Sequence, residues 1–311
     1  MKRGYVRSSI SAATGQMRSW YQDLLEDRLT HCGRSLDAVF RLTADRSNPL
    51  VALKRSTRIR GVIGDRAIMK TLPLLVLSMV ALAREATAQD AECVRERAAM
   101  VETIRAYARS DASVLGQQGL SERVLEAMGQ TKRHLFIPER SCSIAYADRP
   151  IPIGHGQTIS QPFIVALMTQ LAEVAPDHVV LEVGTGSGYQ AAILAHLARK
   201  VCTIEIIPQL AEVAAKTLRD LAYDNVSVRL GDGYGGWPEC GPFDAIVVTA
   251  ALGELPPPLI EQLKVGGRLV MPVGPAYTTQ QLTVVEKIAP DKTTTRAVGL
   301  VRFVPFTRSQ N

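Results

Sequence analysis

A glycine-rich turn after an apolar run is the first place where this sequence could do chemistry. Residues 179–189 read Val-Val-Leu-Glu-Val-Gly-Thr-Gly-Ser-Gly-Tyr, which predicts a buried strand, a tight turn and the start of a helix. Glycines let the backbone turn sharply and approach a ligand closely, because they have no Cβ atom. We therefore expect Gly184, Thr185, Gly186 and Gly188 to form the floor of a small-molecule site.

The spacing of this turn argues against a dinucleotide as the ligand. Dinucleotide-binding turns have the pattern Gly-x-Gly-x-x-Gly, and the pyrophosphate lies at the N-terminus of the following helix. Here the pattern is Gly-x-Gly-x-Gly, and Tyr189 stands where the third dinucleotide glycine would fall. The acidic Glu182 before the turn suits a cationic ligand without phosphates. S-adenosylmethionine (AdoMet), which has ammonium and sulfonium groups, fits that description, and a purely structural turn is the alternative.

Two further acids lie at the carboxyl ends of the next two predicted strands. Glu205 lies about twenty residues after the turn, where a carboxylate can accept hydrogen bonds from both ribose hydroxyls. Asp232, followed by Gly233, comes after the third strand, where it can accept from the adenine amino group. Open α/β sheets bind ligands at the carboxyl ends of their strands. We therefore predict that Glu205 and Asp232 bind one AdoMet molecule together with Glu182 and Gly233.

The elements around these acids predict an α/β fold. Short β-rich runs alternate with helical stretches, as is typical of a parallel sheet with helices on both faces. The predicted strands are 179–183, 201–206, 226–230, 245–249, 267–272, 281–288 and 299–304, and the predicted helices are 95–107, 122–128, 189–198, 208–221 and 257–263. We expect a doubly wound, mostly parallel, seven-stranded Rossmann-like sheet with a C-terminal antiparallel hairpin and an N-terminal helical cap.

The positive charge of the chain is concentrated near its N-terminus. The net charge is +6, and residues 1–68 contain 13 Lys/Arg against 6 Asp/Glu. An arginine-rich stretch with weak hydrophobic periodicity is typical of a solvated segment. We therefore predict a disordered basic extension over 1–68 and a methyltransferase domain over 91–311, and we expect no nucleic-acid partner.

Residues 69–90 resemble a secretory signal peptide placed in mid-chain. A lysine follows Met69, an apolar run covers 72–82, and Ala-Thr-Ala covers 86–88, which is the usual order of start, core and cleavage site. No segment is long enough to span a bilayer, so no stable membrane insertion is expected. We predict a cytoplasmic protein because AdoMet is made in the cytoplasm. The alternative is an exported, periplasmic protein whose translation starts at Met69.

Cysteine usage predicts neither a metal site nor a disulfide framework. The sequence has no Cys-x-x-C pair and no cysteine–histidine cluster at metal-ligand spacing. Cys202 lies in an apolar run, which predicts a small buried hydrophobe. The five cysteines are Cys32, Cys93, Cys142, Cys202 and Cys240.

A segment upstream of the glycine-rich turn carries a family resemblance. Residues 152–162 read Pro-Ile-Gly-His-Gly-Gln-Thr-Ile-Ser-Gln-Pro, which resembles the Gly-x-Gly-Gln-Thr-Ile-Ser-x-Pro stretch of the protein-L-isoaspartate O-methyltransferases, a family of class I AdoMet-dependent enzymes. Pro-Val-Gly at 272–274 and Arg-Phe-Val-Pro at 302–305 match the same family. The chain departs from it at 252–253, Leu-Gly, where bacterial relatives commonly have proline after two alanines.

The resemblance implies a reaction and its residues. The implied reaction transfers a methyl group from AdoMet to the free α-carboxyl of L-isoaspartyl residues in damaged proteins and peptides, which initiates their repair. Ser160 is the implied catalytic residue, and no metal is implied. The implied cofactor contacts on this segment are Gln157, Thr158 and Ser160. The implied substrate contacts are Ser160, Thr249, Ala250 and Val304. We expect a monomer.

Two other functions fit part of the pattern. Another carboxyl or small-molecule methyltransferase would share the fold and differ in its acceptor, and a non-catalytic AdoMet- or nucleotide-binding module would lack an acceptor. The serine-containing segment argues against the first, and the three acids together with Ser160 argue against the second. A NAD-dependent oxidoreductase fits less well because of Tyr189.

Overall fold

A seven-stranded β-sheet forms the centre of the part of the chain that the computed structural model describes, which is residues 89–110 and 119–309. The predictions for the basic extension over 1–68 and for the signal-like segment up to residue 88 lie outside the described residues. All described residues belong to one unit, Leu77–Asn311. Among them, no helix has the length and apolar character needed to cross a bilayer.

The elements follow the predicted alternation. In chain order the strands are β1 (Ile151–Gly154), β2 (Gln157–Ile159), β3 (Val179–Val183), β4 (Lys200–Glu205), β5 (Val226–Leu230), β6 (Phe243–Val248), β7 (Leu263–Val273), β8 (Gln280–Ala289) and β9 (Lys292–Val301). The helices are α1 (89–110), α2 (Glu122–Gln130), α3 (Cys142–Ala145), α4 (Pro162–Leu171), α5 (Tyr189–Ala195), α6 (Pro208–Asp220) and α7 (Pro257–Glu261), with 3₁₀ turns at Arg133–Phe136 and Gly233–Gly235.

The sheet order is β5-β4-β3-β6-β7-β8-β9. Strands β3 to β7 pair in parallel, and β7, β8 and β9 pair antiparallel. Alternate residues of β3 enter different hydrophobic cores, Val180 on one face of the sheet and Leu181 on the other. The predicted doubly wound sheet with a C-terminal antiparallel hairpin is therefore confirmed.

The predicted helical cap is also present. Helix α1 buries Met100 and Ile104 in the larger core, and its outer face is exposed. Arg105 of α1 pairs with Glu122 of α2, and the Tyr107 ring lies 5.7 Å from the Phe163 ring of α4. The cap therefore packs beside the segment that carries the family resemblance.

Several predicted boundaries were wrong. Strand β7 begins at Leu263 instead of 267, and the last strand covers Lys292–Val301 instead of 299–304, because its first five residues are exposed and polar and show no apolar alternation. The segment 151–159, for which no strand was predicted, forms the antiparallel β1–β2 hairpin. Helix α4 was not predicted, since seven of its ten residues are buried and leave little periodicity to detect.

The prediction that the cysteines form no disulfide framework was wrong. The structure joins Cys93 to Cys142 and Cys202 to Cys240, with Cα–Cα distances of 5.0 and 6.7 Å. The partners are 49 and 38 residues apart in sequence, so spacing alone could not show that they are neighbours. His134 lies beside the first pair, and its ring nitrogen and the two sulfurs lie within 4.8 Å of one another.

Candidate active site

The glycine-rich turn at the end of β3 is fixed by backbone hydrogen bonds and by close packing around Gly184. The amides of Gly184 and Thr185 donate to the carbonyl of Ile204 at 2.9 and 3.1 Å, which turns the chain away from the sheet. Gly184 has a φ of 98°, and a Cβ atom there would lie 2.5 Å from Thr249 Oγ1. A side chain at this position would therefore be strained and would collide with the end of the neighbouring strand.

Glu205 fixes the turn and borders the cleft above it. Its carboxylate accepts from the Gly186 amide at 2.7 Å and from the Ile207 amide at 3.0 Å. The side chain is buried, yet it forms part of the cleft wall. A carboxylate oxygen accepts more than one hydrogen bond, so Glu205 retains acceptor capacity for ligand hydroxyls.

Glu182 lies behind the turn and does not line the cleft. It is fully buried opposite Thr203 of β4, whose hydroxyl donates to Glu182 Oε2 at 2.6 Å. Among the described residues, Oε1 has no hydrogen-bond partner. Burial, with a smaller contribution from the charge of Glu205, raises the pKa of Glu182 to about 8, although the Thr203 bond opposes the shift.

Asp232 is engaged by the C-terminal segment. Its Oδ1 accepts from the Tyr234 amide at 2.9 Å, and its Oδ2 accepts from Arg308 Nε at 2.9 Å and from the Ser309 hydroxyl at 3.1 Å. Burial acts to raise the pKa of Asp232, but these bonds outweigh it and the pKa lies below its usual value. The guanidinium of Arg308 also lies 3.7 Å from the centre of the Tyr234 ring. Sequence reasoning missed this segment, because 76 residues separate Arg308 from Asp232.

A cleft that is open to solvent lies over the turn. The predicted site residues in its wall are Gln157, Thr158, Gly184, Gly186, Glu205, Gly233, Thr249, Ala250 and Val304. The wall also contains seven residues that were not predicted as site residues: Val183, Ile204, Ile206, Ile207 and the C-terminal residues Pro305, Phe306 and Thr307. The predicted residues outside this wall are Ser160, Glu182, Thr185, Gly188 and Asp232. Thr185 and Gly188 lie in the turn itself, and Asp232 immediately precedes the lining Gly233.

A second cleft opens beside the first. Ser160 lines this second cleft, and Thr158, Thr249 and Val304 line both clefts. The two spaces therefore meet at a shared wall. A group bound above the glycine-rich turn and a group bound against Ser160 would face each other across these three residues.

The serine segment is positioned from two sides. Helix α4 has Gln161 as its N-cap and Pro162 in its first turn, so Ser160 lies just before the helix and does not cap it. Asp148 takes the capping function, since its two oxygens accept from the Phe163 amide at 2.9 Å and from Gln161 Nε2 at 2.8 Å. No local pattern indicated Asp148, which contacts the helix start across 13 to 15 residues of sequence.

Backbone hydrogen bonds anchor the predicted substrate contacts. The Ala251 amide donates to the Val304 carbonyl at 2.8 Å, and the Phe306 amide donates to the Ala251 carbonyl at 2.8 Å. Leu252, at the departure from the family pattern, accepts from the Gly274 amide at 2.9 Å. The loop after β6 and the C-terminal segment therefore form one ordered side of both clefts.

Comparison with known proteins agrees with this geometry. A family model described as protein-L-isoaspartate(D-aspartate) O-methyltransferase matches residues 112–311. The chain belongs to this family. A family member from Polaromonas sp. strain JS666 is 58% identical over 208 residues, which cover 67% of this chain and 99% of that protein. A second, from Syntrophobacter fumaroxidans, is 53% identical over 236 residues, covering 76% of this chain and 95% of the relative.

Solved structures of the family share the fold. A protein-L-isoaspartate O-methyltransferase superposes with a TM-score of 0.60 at 27% identity, covering 67% of this chain and 65% of that one. A structure from Plasmodium falciparum, described as a member of the same family in complex with S-adenosyl-L-homocysteine, superposes with a TM-score of 0.56 at 26% identity and covers 68% and 98% of the two chains. The methyltransferase fold predicted from the sequence is thus confirmed.

Proposed function

We propose that this domain transfers a methyl group from AdoMet to the free α-carboxyl of L-isoaspartyl residues in damaged proteins and peptides. Besides the family membership, one structural observation supports this proposal. The cleft over the glycine-rich turn and the cleft lined by Ser160 share Thr158, Thr249 and Val304 as a common wall. A donor in the first cleft and an acceptor in the second would meet at that wall.

The residues of the first cleft fit AdoMet. A Cβ atom at Gly184 would lie 2.5 Å from Thr249 Oγ1, and one at Gly233 would lie even closer to Val183, so the close packing of the cleft floor requires glycine at both positions. Glu205 offers an acceptor to ribose hydroxyls, and Asp232 offers one near the adenine end. Glu182 supplies a buried carboxyl beneath the turn whose Oε1 lacks a partner among the described residues. We propose that this carboxyl ionises when the cationic end of the ligand binds above the turn, without direct contact.

The chemistry demands positioning more than proton transfer. The acceptor carboxylate, with an ordinary pKa of about 4, is ionised at neutral pH and needs no general base. When bound, AdoMet supplies a methyl group that its sulfonium already activates. The protein must align the two groups and exclude water, which can lower a barrier by several kcal/mol. We propose that the Ser160 hydroxyl donates a hydrogen bond to the acceptor carboxylate. Thr158 and Val304 would form the wall around that carboxylate.

A labelling experiment tests the function. The protein is incubated with methyl-labelled AdoMet and with two peptides that differ only in an isoaspartyl or an aspartyl linkage. Base-labile label on the isoaspartyl peptide alone is the expected result. Label on neither peptide, with AdoMet bound, would favour a binding module. Label on an unrelated small acid would favour a different carboxyl methyltransferase.

The compartment and the assembly state complete the proposal. We propose a monomer whose partners are damaged proteins, acting in the cytoplasm where AdoMet is made. The two cysteine pairs support the exported alternative, because disulfides persist mainly in oxidising compartments. N-terminal sequencing of the mature protein separates these two locations, since export would remove the segment that ends near residue 88.

A further inference from the structure

A buried cation lies beneath the serine segment. Arg133, in the 3₁₀ turn after α2, is 0% exposed. Its Nε donates to the Ala145 carbonyl at 2.7 Å, and its Nη2 donates to the Ser160 carbonyl at 2.8 Å. The guanidinium carbon lies 4.7 Å from the centre of the Tyr189 ring. One side chain thus contacts three separate segments of the site.

These contacts join the two sides of the proposed reaction. Ser160 lines the second cleft, which we assign to the acceptor. Tyr189 is the first residue of α5 and directly follows Gly188, the last glycine of the turn beneath the first cleft. The guanidinium therefore connects the backbone of the acceptor side to the helix that begins at the donor side.

Packing alone gives no reason for a charge at this position. A buried ion costs free energy unless it is well paired, and an apolar side chain of similar size often stabilises a fold as well or better. Arg133 has no carboxylate at salt-bridge distance among the described residues, so Asp148 attracts it only from farther away, and its Nη1 has no hydrogen-bond partner there. The cation is held by carbonyl groups and an aromatic face. Its specific contribution is the fixed geometry of a planar group with several donors.

We propose that Arg133 is a positioning residue that sets Ser160 relative to the glycine-rich turn. The inference rests on the proposed function, because it assigns the acceptor to the Ser160 cleft. Displacements of about 1 Å from the reactive geometry can lower a rate about 100-fold. Loss of the guanidinium group that holds the Ser160 carbonyl should therefore reduce turnover and leave cofactor binding largely unchanged.

Arg133→Lys and Arg133→Gln test the assignment in the full chain. Lysine keeps the charge and glutamine keeps a planar donor, but neither can hold both carbonyls and cover the Tyr189 ring. We expect kcat with an isoaspartyl peptide to fall about 10- to 100-fold and the Kd for AdoMet to change less than about threefold. A structural role alone would not separate kcat from the AdoMet Kd in this way.

Phe136→Leu is the matched control. Phe136 lies in the same 3₁₀ turn and packs against Tyr189 with ring centres 5.7 Å apart, but it makes no hydrogen bond to the Ser160 segment. This variant should lose thermal stability while keeping kcat. Arg133 is only a packing residue if both arginine variants have the kcat of the wild type. The same conclusion holds if their loss of kcat is no larger than Phe136→Leu shows for the same loss of Tm.

Hydrogen exchange gives a readout that does not depend on the acceptor. We expect the amides of residues 157–163 to exchange faster in both arginine variants than in Phe136→Leu at an equal margin below Tm. Unchanged exchange would overturn the positioning role even if the wild type proved to methylate another acid. Failure of the wild type to methylate isoaspartyl peptides, with the exchange difference present, would overturn only the proposed function.

Discussion

At the scale of single residues, two acids on neighbouring strands have opposite environments. Glu205 accepts two backbone amides at the cleft wall, whereas Glu182 is buried with one oxygen unpartnered among the described residues. Their positions at the strand ends could be predicted from sequence, because both follow apolar runs. The burial of Glu182 could not, since it depends on Thr203 standing opposite it in the β3–β4 register.

The buried Glu182 carboxyl should make the stability of the ligand-free protein depend on pH. Its pKa is about 8 in the folded state against 4.5 as the ordinary value. Below pH 4.5 the carboxyl is neutral in both the folded and the unfolded protein. Between pH 4.5 and pH 8 it ionises in the unfolded chain but not in the folded protein, so the free energy of unfolding falls as the pH rises and stays low above pH 8. Glu182→Gln removes this loss. Urea denaturation should show the variant gaining on the wild type by at most about 4 kcal/mol between pH 5 and pH 8.

Parallel pH profiles for the wild type and Glu182→Gln would show that the carboxyl titrates normally. Glu254→Gln is a suitable control, because Glu254 is exposed and near the same end of the sheet. That exchange should leave the pH profile of stability unchanged.

The hydroxyl of Ser160 should contribute to turnover and not to cofactor affinity. Ser160 lines the second cleft only, and its backbone is fixed by Arg133. Ser160→Ala should lower kcat about 10- to 100-fold, which corresponds to the loss of one hydrogen bond to a charged group. AdoMet titration should give a nearly unchanged Kd. Ser143→Ala, an exposed serine on α3, is the control, and wild-type turnover in Ser160→Ala would reduce Ser160 to a loop residue.

At the scale of elements, the sequence predicts best what is buried and periodic. Strands β3 and β5 have the predicted bounds, since each is an apolar or alternating run that ends in a turn signal. The hairpin β1–β2 and helix α4 were missed for different reasons. The hairpin strands contain only four and three residues, and α4 is buried on most sides. The C-terminal segment after β9 has no regular pattern, yet it completes both clefts.

The C-terminal segment after β9 also places a positive charge at the second cleft, which we assign to the acceptor. Among the residues that line the second cleft, all of them described, Arg302 has the one formally charged side chain. Isoaspartyl peptides present carboxylates, so Arg302→Gln should raise KM for them up to about fivefold, the range of an exposed ion pair, while the AdoMet Kd stays constant. Steady-state kinetics at two salt concentrations measures this effect, which should shrink at high salt.

Arg296→Gln provides the matched loss of charge. Arg296 is exposed on β9 and does not line either cleft. Equal KM values for the two variants, or a KM effect that does not respond to salt, would remove the assigned role of Arg302.

At the scale of the whole molecule, two covalent links join parts of the chain that are distant in sequence. Cys93 ties helix α1 to α3, and Cys202 ties β4 to the segment before β6. Loops of 49 and 38 residues correspond to about 4 kcal/mol each in the chain-entropy model. The fold class followed from alternating strands and helices, but these links depend on which elements pack together, and the sequence spacing contains no such information.

Removing the first link should lower the melting temperature. We expect Cys142→Ala to reduce the Tm by roughly 5–15 °C under oxidising conditions and to have a much smaller effect in reductant. Calorimetry with and without dithiothreitol measures the difference, and thiol counting by mass spectrometry reports the bonded pairs. Ser143→Ala, an exposed position next to Cys142 on α3, serves as control. A wild-type Tm that does not respond to reductant would argue that the thiols are free.

The bonds between the segment after β9 and Asp232 have a practical consequence. Arg308 and Ser309 both donate to that carboxylate, which directly precedes the cleft-lining Gly233. A fluorescent label attached next to Ser309 would therefore lie beside the site assigned to adenine. Binding constants obtained with such a label would describe an altered pocket, so labels for binding studies belong on surfaces away from Asp232.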